Sequence, residues 1–406
     1  MIDQLRVDSD RLWTTIHDLA EIGATAAGGV ARVALTDADR AGRDRFVAWA
    51  TELGCSMHID RIGNLFARYE GTDPDRAPVV IGSHLDSQPT GGRYDGAYGV
   101  MVGLEVLRVL HESGTRLPAS IEVVSWTDEE GARFPPAMLG SGVFSGDIAL
   151  EAGLGSTAMD GTVLMDELLR IGYSGPEPVG SRAIGYYLEP HIEQGPILEA
   201  GGHTIGIVTG VQGIRWYDVT ITGRESHAGS TPMDRRSDAM VAAARLVTEA
   251  DRIARDRSPD GRATVGVMEV SPGSRNTVVG GVRMTVDLRH PDADTLSAMH
   301  EELLAVAASL DPAPDINPIW YSPPIVFDAD IVAALRAGAE AAGYEPVDIT
   351  SGAGHDACYI SNVAPTGMLF IPCADGLSHN EAESIERDHA VAGAEVTLRA
   401  VITLGS

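Results

Sequence analysis

The strongest constraint on how this chain folds is a rhythm of apolar runs that changes partway along it. "NLFARYEG", "APVVIGSH" and "SIEVVSW" read as strands, and "VMVGLEVLRVLHES" between the last two reads as a helix. Residues 3–22 and 39–53 carry helical spacing of apolar positions and end near Gly. Strands alternating with helices build an α/β sheet covered by helices, and such sheets present ligands at the carboxyl ends of their strands. From about residue 212 the texture differs. "IRWYDVTITG" alternates like a half-buried strand, and "SDAMVAAARLVTEADRIARD" is a long amphipathic helix. The strands "RATVGVMEV" and "GVRMTVDLRH", the helix "ADTLSAMHEELLAVAASL" and a strand near "INPIWYS" follow. That β-α-β-β-α-β order is the split βαβ, or ferredoxin-like, unit. "SPPIVFD" returns to α/β texture, which ends with "GMLFIP" and a last helix. A chain of 406 residues exceeds one ordinary core. The expected organisation is a mixed-sheet α/β domain over 1–211 and 326–406, interrupted by a ferredoxin-like α+β domain over 212–325.

Charge narrows the partners. Thirty Lys and Arg oppose 58 Asp and Glu, a formal charge of -28 that repels nucleic acid and anionic lipid. An anionic substrate therefore needs a local cationic pocket. Cys55, Cys358 and Cys373 are too few and too scattered for a disulfide framework or a thiolate zinc site. The opening "MIDQLRVDSDRLW" lacks the apolar core of a signal peptide, and no apolar run approaches the roughly twenty residues of a membrane helix. A soluble, cytoplasmic protein with no nucleic-acid or membrane partner is expected.

The chemistry-bearing residues gather at predicted strand ends. "SHLDSQPTGGRYDG" places His84, Asp86 and Asp95 after a strand, among glycines. "SWTDEEGARF" ends another strand in Asp128, Glu129 and Glu130. An acidic triplet is ordinarily a solvated turn. A lone histidine such as His191, after "IGYYLEP", is ordinarily structural, and His379 sits in a polar loop after "GMLFIP". Together, three histidines and several carboxylates at strand ends make up the donor inventory of a zinc-type site with nitrogen and oxygen ligands.

The ordered set "GSHLDSQPTGGRYDGAYGV", "DEEGARF", "HIEQGPILE", "GRESHAGSTPMDRR", "DLRHPD", "SGAGHDA" and "GLSHNEAE" resembles the dinuclear-metal amidohydrolase family. That family holds N-carbamoyl-L-amino-acid hydrolases, β-ureidopropionases and allantoate amidohydrolases, within the zinc aminoacylase and carboxypeptidase superfamily. The resemblance covers nearly the whole chain. It implies two divalent ions per subunit, zinc or else manganese, cobalt or nickel. His84 would ligate one of them, with the Asp86 carboxylate behind it orienting the imidazole. Asp95 would bridge the pair. Glu130 and His379 would complete one ion's shell and His191 the other's. Glu129 would be the general base, taking a proton from the attacking water and passing it to the leaving nitrogen. Glycines around Asp95 would permit the tight turns that let His84 and Asp95, eleven positions apart, converge.

In the inserted domain, the resemblance implies a homodimer in which His227 reaches the partner's site and polarises the substrate carbonyl. Asn276 and Arg289 would hold the substrate carboxylate, Arg by its bidentate fork. Gly354 and His355 would line the pocket and Gln194 would meet the ureido group. His17, His58, His111, His203, His290, His300 and His389 fall in no matching motif and are read as structural. Ile214, in "GVQGIRWY", stands where several allantoate-type relatives carry Gln, which leans the expected substrate toward N-carbamoyl amino acids. Allantoate, N-carbamoyl-β-alanine, a dinuclear peptidase or aminoacylase, and a non-catalytic dimeric metal-binding protein stay as alternatives. A serine hydrolase is disfavoured, because no Gly-x-Ser-x-Gly elbow occurs.

Overall fold

The computed structural model describes residues 4–406. The chain enters its main sheet through β1 (Ser56–Ile59), β2 (Leu65–Tyr69), β3 (Val79–His84), β4 (Ile121–Trp126), β5 (Tyr186–Ile192) and β6 (Gly206–Val211). An inserted block supplies β7 (Gly213–Thr222), β8 (Ser226–His227), β9 (Arg262–Thr264), β10 (Met268–Ser271), β11 (Thr277–Val278), β12 (Gly281–His290) and β13 (Asp315–Ser322). The main sheet resumes with β14 (Ile325–Val326), β15 (Val347–Ser351) and β16 (Thr366–Ile371). Its order is β1-β2-β4-β3-β5-β16-β6-β14, with β15 also on β6.

Four neighbours in this sheet share one direction. β4, β3, β5 and β16 run parallel, with His84 opposite Trp126 and His191 opposite Phe370. Parallel strands release their chains on the same side, so the loops after all four emerge together. Every residue of β3, β4 and β16 is buried, as the continuous apolar runs anticipate. Helix Ala97–Glu112 buries Val100, Leu104 and Leu107 in the core, each contributing on the order of 1.5–3 kcal/mol. The hydroxyl of its Tyr98 donates to the Ala390 carbonyl at 2.9 Å, linking it to helix Arg387–Gly405.

The chain divides into two compact units, one running to Thr209 and resuming at Phe327, the other Gly210–Val326. In the second, an antiparallel sheet of order β10-β12-β7-β13 carries β9 on β12. Helices Ala239–Arg255 and Ala293–Ser309 bury Leu246, Ile253, Leu296 and Leu303 in one cluster with Val219, Ile221, Met284 and Leu288. The continuous strand anticipated in "RATVGVMEV" is instead split into β9 and β10 around Gly266. β13 shifts register between Pro318 and Trp320, because proline has no N–H for the ladder.

The first helix is shorter than its pattern suggested. It runs Ser9–Ala20, capped by Asp8, which accepts from the Arg11 N–H; the anticipated start at residue 3 lies outside the described residues. Among the described residues, no helix is long and apolar enough to cross a membrane.

One buried ion pair braces the approach to the acidic loop. Arg43 donates to Asp39 at 2.9 Å, to the Gly63 carbonyl and to the Thr127 hydroxyl, and both charged side chains are almost fully buried. Asp39→Ala leaves the guanidinium buried without its counter-charge, a loss of about 3–5 kcal/mol. Denaturant unfolding followed by circular dichroism is expected to show the first transition moving to clearly lower denaturant. An unchanged midpoint contradicts this.

Candidate metal centre

Two groups of donors meet where the four parallel strands end. His84, Asp95 and His191 offer ligand atoms that all lie within 4.8 Å of one another, and so do Asp95, Glu130 and His379. Asp95 belongs to both, and its two oxygens divide between them. Oδ1 faces His191 Nε2 at 3.1 Å and His84 Nε2 at 3.7 Å, whereas Oδ2 faces His379 Nε2 at 3.4 Å. Glu130 Oε2 stands 3.3 Å from the same His379 nitrogen.

The imidazoles are turned with their Nε2 atoms inward by main-chain carbonyls. His84 Nδ1 donates to the Asp86 carbonyl and His191 Nδ1 to the Ile192 carbonyl, each at 2.9 Å. A ring whose Nδ1 carries the proton presents an Nε2 lone pair, the form in which histidine binds a cation. The Asp86 carboxylate does not take the orienting role expected of it, because Oδ1 is 4.0 Å from His84 Nδ1. It instead accepts the N–H groups of Glu129 and Glu130, both at 3.3 Å, and fixes the turn that aims those acids.

The acidic triplet splays in different directions because Asp128 adopts a left-handed φ of 55°. Glu129 Oε2 lies 3.5 Å from His84 Nε2. Glu130 is held by Gln88, whose N–H and side-chain amide donate to its two oxygens at 3.1 and 2.8 Å. Gly96 (φ 61°) lies directly against the His84 ring, where a Cβ would come within 2.3 Å. Its need for glycine is thus close approach as well as turn geometry.

The electrostatics follow from crowding acids in a dry site. Burial, then repulsion from Asp95 and Asp86, pushes Glu130 up to about 9. Burial and the charges of Asp356, Glu130, Asp86 and Asp95 hold Glu129 well above the carboxylate range. Burial pushes His84 down to about 4. Burial opposes charge on His191 too, but its hydrogen bond and attraction to Asp95 prevail and lift it to about 9. Burial likewise opposes charge on Asp95, yet the bond to His191 and the pull of the three histidines keep it far below its usual value. Three imidazoles and two carboxylates facing inward, with further acids behind them, are a donor set that fits divalent cations of the zinc and manganese kind.

The remaining expected residues divide. Gln194, at φ 57°, donates its amide nitrogen to Asp95 Oδ2 at 2.8 Å and so steadies a ligand, while its buried amide oxygen has no hydrogen-bond partner. His355 is buried beneath His191 with ring centroids 4.6 Å apart, and its Nε2 meets the Ser351 hydroxyl. It backs a ligand ring where a pocket-lining place was expected; Gly354 is exposed beside Met138. In the second unit, His227 is exposed and its Nδ1 accepts the N–H groups of Gly229 and Ser230, which leaves the proton on Nε2. Asn276 adjoins it, since β8 pairs β11 with Thr277 opposite His227. Arg289 lies eight residues along β12 from Gly281, the end nearer that pair, and its fork is engaged by Asp287 at 2.8–3.1 Å. Arg289 thus stands roughly 27 Å along β12 from Gly281, the end nearer Asn276.

Sequence reasoning passed over Gln88, Ser378 and Glu383, though all three lie inside the motifs it used. The polar sequence around His379 reads as loop, and only the fold puts Ser378 Oγ 2.8 Å from Asp95 Oδ2.

Residues 80–403 match the model of peptidase family M20/M25/M40. An N-carbamoyl-L-amino-acid amidohydrolase of Rhizobium meliloti is 47% identical over 401 residues, covering 98% of this chain and 96% of that protein. An N-carbamoyl-L-amino acid amidohydrolase of Geobacillus stearothermophilus is 35% identical, covering 97% and 98%. The crystal structure of an amidase of the hydantoinase/carbamoylase family from Burkholderia multivorans superposes with a TM-score of 0.95 at 51% identity, covering 99% of this chain and 98% of that one.

Stripping cations from the protein should expose the acid crowding as a pH effect. Glu130 and His191 keep their protons to about 9 in the folded chain, against roughly 4.3 and 6.5 when unfolded. Groups with raised folded values contribute stability at low pH and lose it as pH rises through those values. The melting temperature of chelator-treated protein should therefore fall from about pH 5 to 9, most steeply above 6.5, and saturating Zn²⁺ or Mn²⁺ should flatten the slope. A pH-independent melting temperature without cations contradicts this.

Proposed function

Since this chain belongs to the M20/M25/M40 peptidase family, we propose that it is a metal-dependent amidohydrolase cleaving the carbamoyl C–N bond of an N-carbamoyl-L-amino acid. The products are the amino acid, carbon dioxide and ammonia. One observation carries the reading: Asp95 divides its two oxygens between two sets of inward-facing donors. His84 and His191 with Asp95 would hold one divalent cation, and Glu130 and His379 with Asp95 a second. Bound there, such cations would acidify a water and polarise the carbonyl it attacks.

The chain's own residues do the rest. Glu129, beside His84 and bound to neither donor set, takes the proton from the attacking water. It then gives that proton to the amino-acid nitrogen as the C–N bond breaks. The carbamic acid left behind decomposes to carbon dioxide and ammonia. His227, with its proton on Nε2, is poised to donate to the substrate carbonyl, and Asn276 beside it can take a substrate oxygen. Arg289 supplies a fork for the carboxylate in an otherwise acidic protein.

The separation of Arg289 from the His227–Asn276 pair supports a homodimer through the Gly210–Val326 unit. One substrate can meet both only if they come from different copies, so His227 acts in the partner's site.

Glu129→Gln removes the proton acceptor while keeping shape. Turnover of a panel of N-carbamoyl-L-amino acids, N-carbamoyl-β-alanine and allantoate, followed by ammonia release, should fall at least about 10²-fold, with cation content unchanged. Retention of most of kcat would remove Glu129 as the base. The wild-type panel also separates the alternatives, since allantoate turnover exceeding that of every carbamoyl amino acid overturns the substrate assignment.

The dimer is tested by mixing His84→Ala with His227→Ala. Each is inactive alone, but a heterodimer holds one intact site, so activity should partly return. No return after verified subunit exchange means that His227 serves its own chain.

A further inference from the structure

We infer that Glu383 is the positioning residue that ties the Asp95 loop to the His379 loop, and that Gly92 exists to admit its carboxylate. The inference rests on the reading of Asp95 as a ligand shared by two cations. Glu383 is only 4% exposed and belongs to neither donor set. Its Oε1 accepts the N–H of Tyr94 at 2.9 Å and of Asp95 at 3.1 Å, while Oε2 faces the Ser378 hydroxyl at 3.1 Å. Ser378 immediately precedes His379, and its hydroxyl also lies 2.8 Å from Asp95 Oδ2. One carboxylate thus accepts two main-chain N–H groups on one side of the centre and lies against the serine on the other. The loops come from segments 288 residues apart in sequence, and nothing in either one alone fixes their spacing.

The sterics at Gly92 are independent of those hydrogen bonds. A Cβ on Gly92 would lie 2.0 Å from the Glu383 carboxyl carbon and Oε1. Gly92 has no left-handed φ to account for its glycine. What it requires is room for the carboxylate to lie against the backbone. A carboxylate confined this way sets where Asp95 begins, and through Ser378 where its Oδ2 ends.

The test is a titration of Zn²⁺ and, separately, Mn²⁺ into chelator-stripped protein by calorimetry, without substrate. Glu383→Ala should bind cations about 10–100-fold more weakly, the usual cost of losing a group behind the ligands. Its stripped form should melt within a few degrees of stripped wild type. Glu383→Gln keeps an oxygen for the two N–H groups and should stay within a few-fold of wild type. Gly92→Ala should mimic Glu383→Ala, and the double variant should bind no more weakly than Glu383→Ala alone, because the space is then free. Wild-type affinity in folded Glu383→Ala, Glu383→Gln as weak as Glu383→Ala, or a double variant with additive losses overturns the inference. Fewer than two cations on the wild type overturns the shared-ligand reading itself, and with it this one.

Discussion

The site is organised by a conflict between like charges. Asp86, Asp95, Asp128, Glu129, Glu189, Asp356 and Glu383 are buried around it, with Glu130 beside them. Carboxylates so packed cannot all remain ionised without compensation. The protein supplies part of that compensation itself. Asp86 receives two backbone N–H groups, Glu189 a serine hydroxyl and the Ala357 N–H, Asp356 the Ser141 hydroxyl, and Asp95 the ring of His191. Cations held by the two donor sets that meet at Asp95 would offset the remaining negative charge where the acids are most crowded.

Much of this was legible in the sequence, for a physical reason. A strand buried on both faces reads as an uninterrupted apolar run, and its carboxyl end is where polarity abruptly begins. "APVVIGSHLD", "SIEVVSWTDEE" and "IGYYLEPHIEQ" each show that edge. Strand order needed the fold, but parallel runs left few places for His84, Glu130 and His191 other than one side of one sheet. What stayed hidden was whatever depends on two loops at once. Asp86 was read as a carboxylate behind an imidazole, yet its carbonyl does that work while its carboxylate fixes the next loop. The glycines around Asp95 were read as turn formers, yet at Gly92 a Cβ would strike the Glu383 carboxylate.

The same logic explains where backbone strain is concentrated. Asp128, Gln194 and His379 all hold left-handed φ values, uncommon for residues with side chains. Each sits where a strand has ended and a side chain must turn back over the sheet edge. The surrounding hydrogen bonds hold those conformations, as Gln194 does through Asp95 and Ser378. His379 is the most open of the five donors, with its side chain 51% exposed, so the centre is most accessible along that side.

Anomalous X-ray scattering from crystals grown with Mn²⁺ or Zn²⁺ reads the central claim directly. The account predicts two peaks roughly 3.5 Å apart, one against His84 and His191 and the other against Glu130 and His379, with an Asp95 oxygen on each. A single peak, or a pair that leaves Asp95 bound to only one of them, would contradict it.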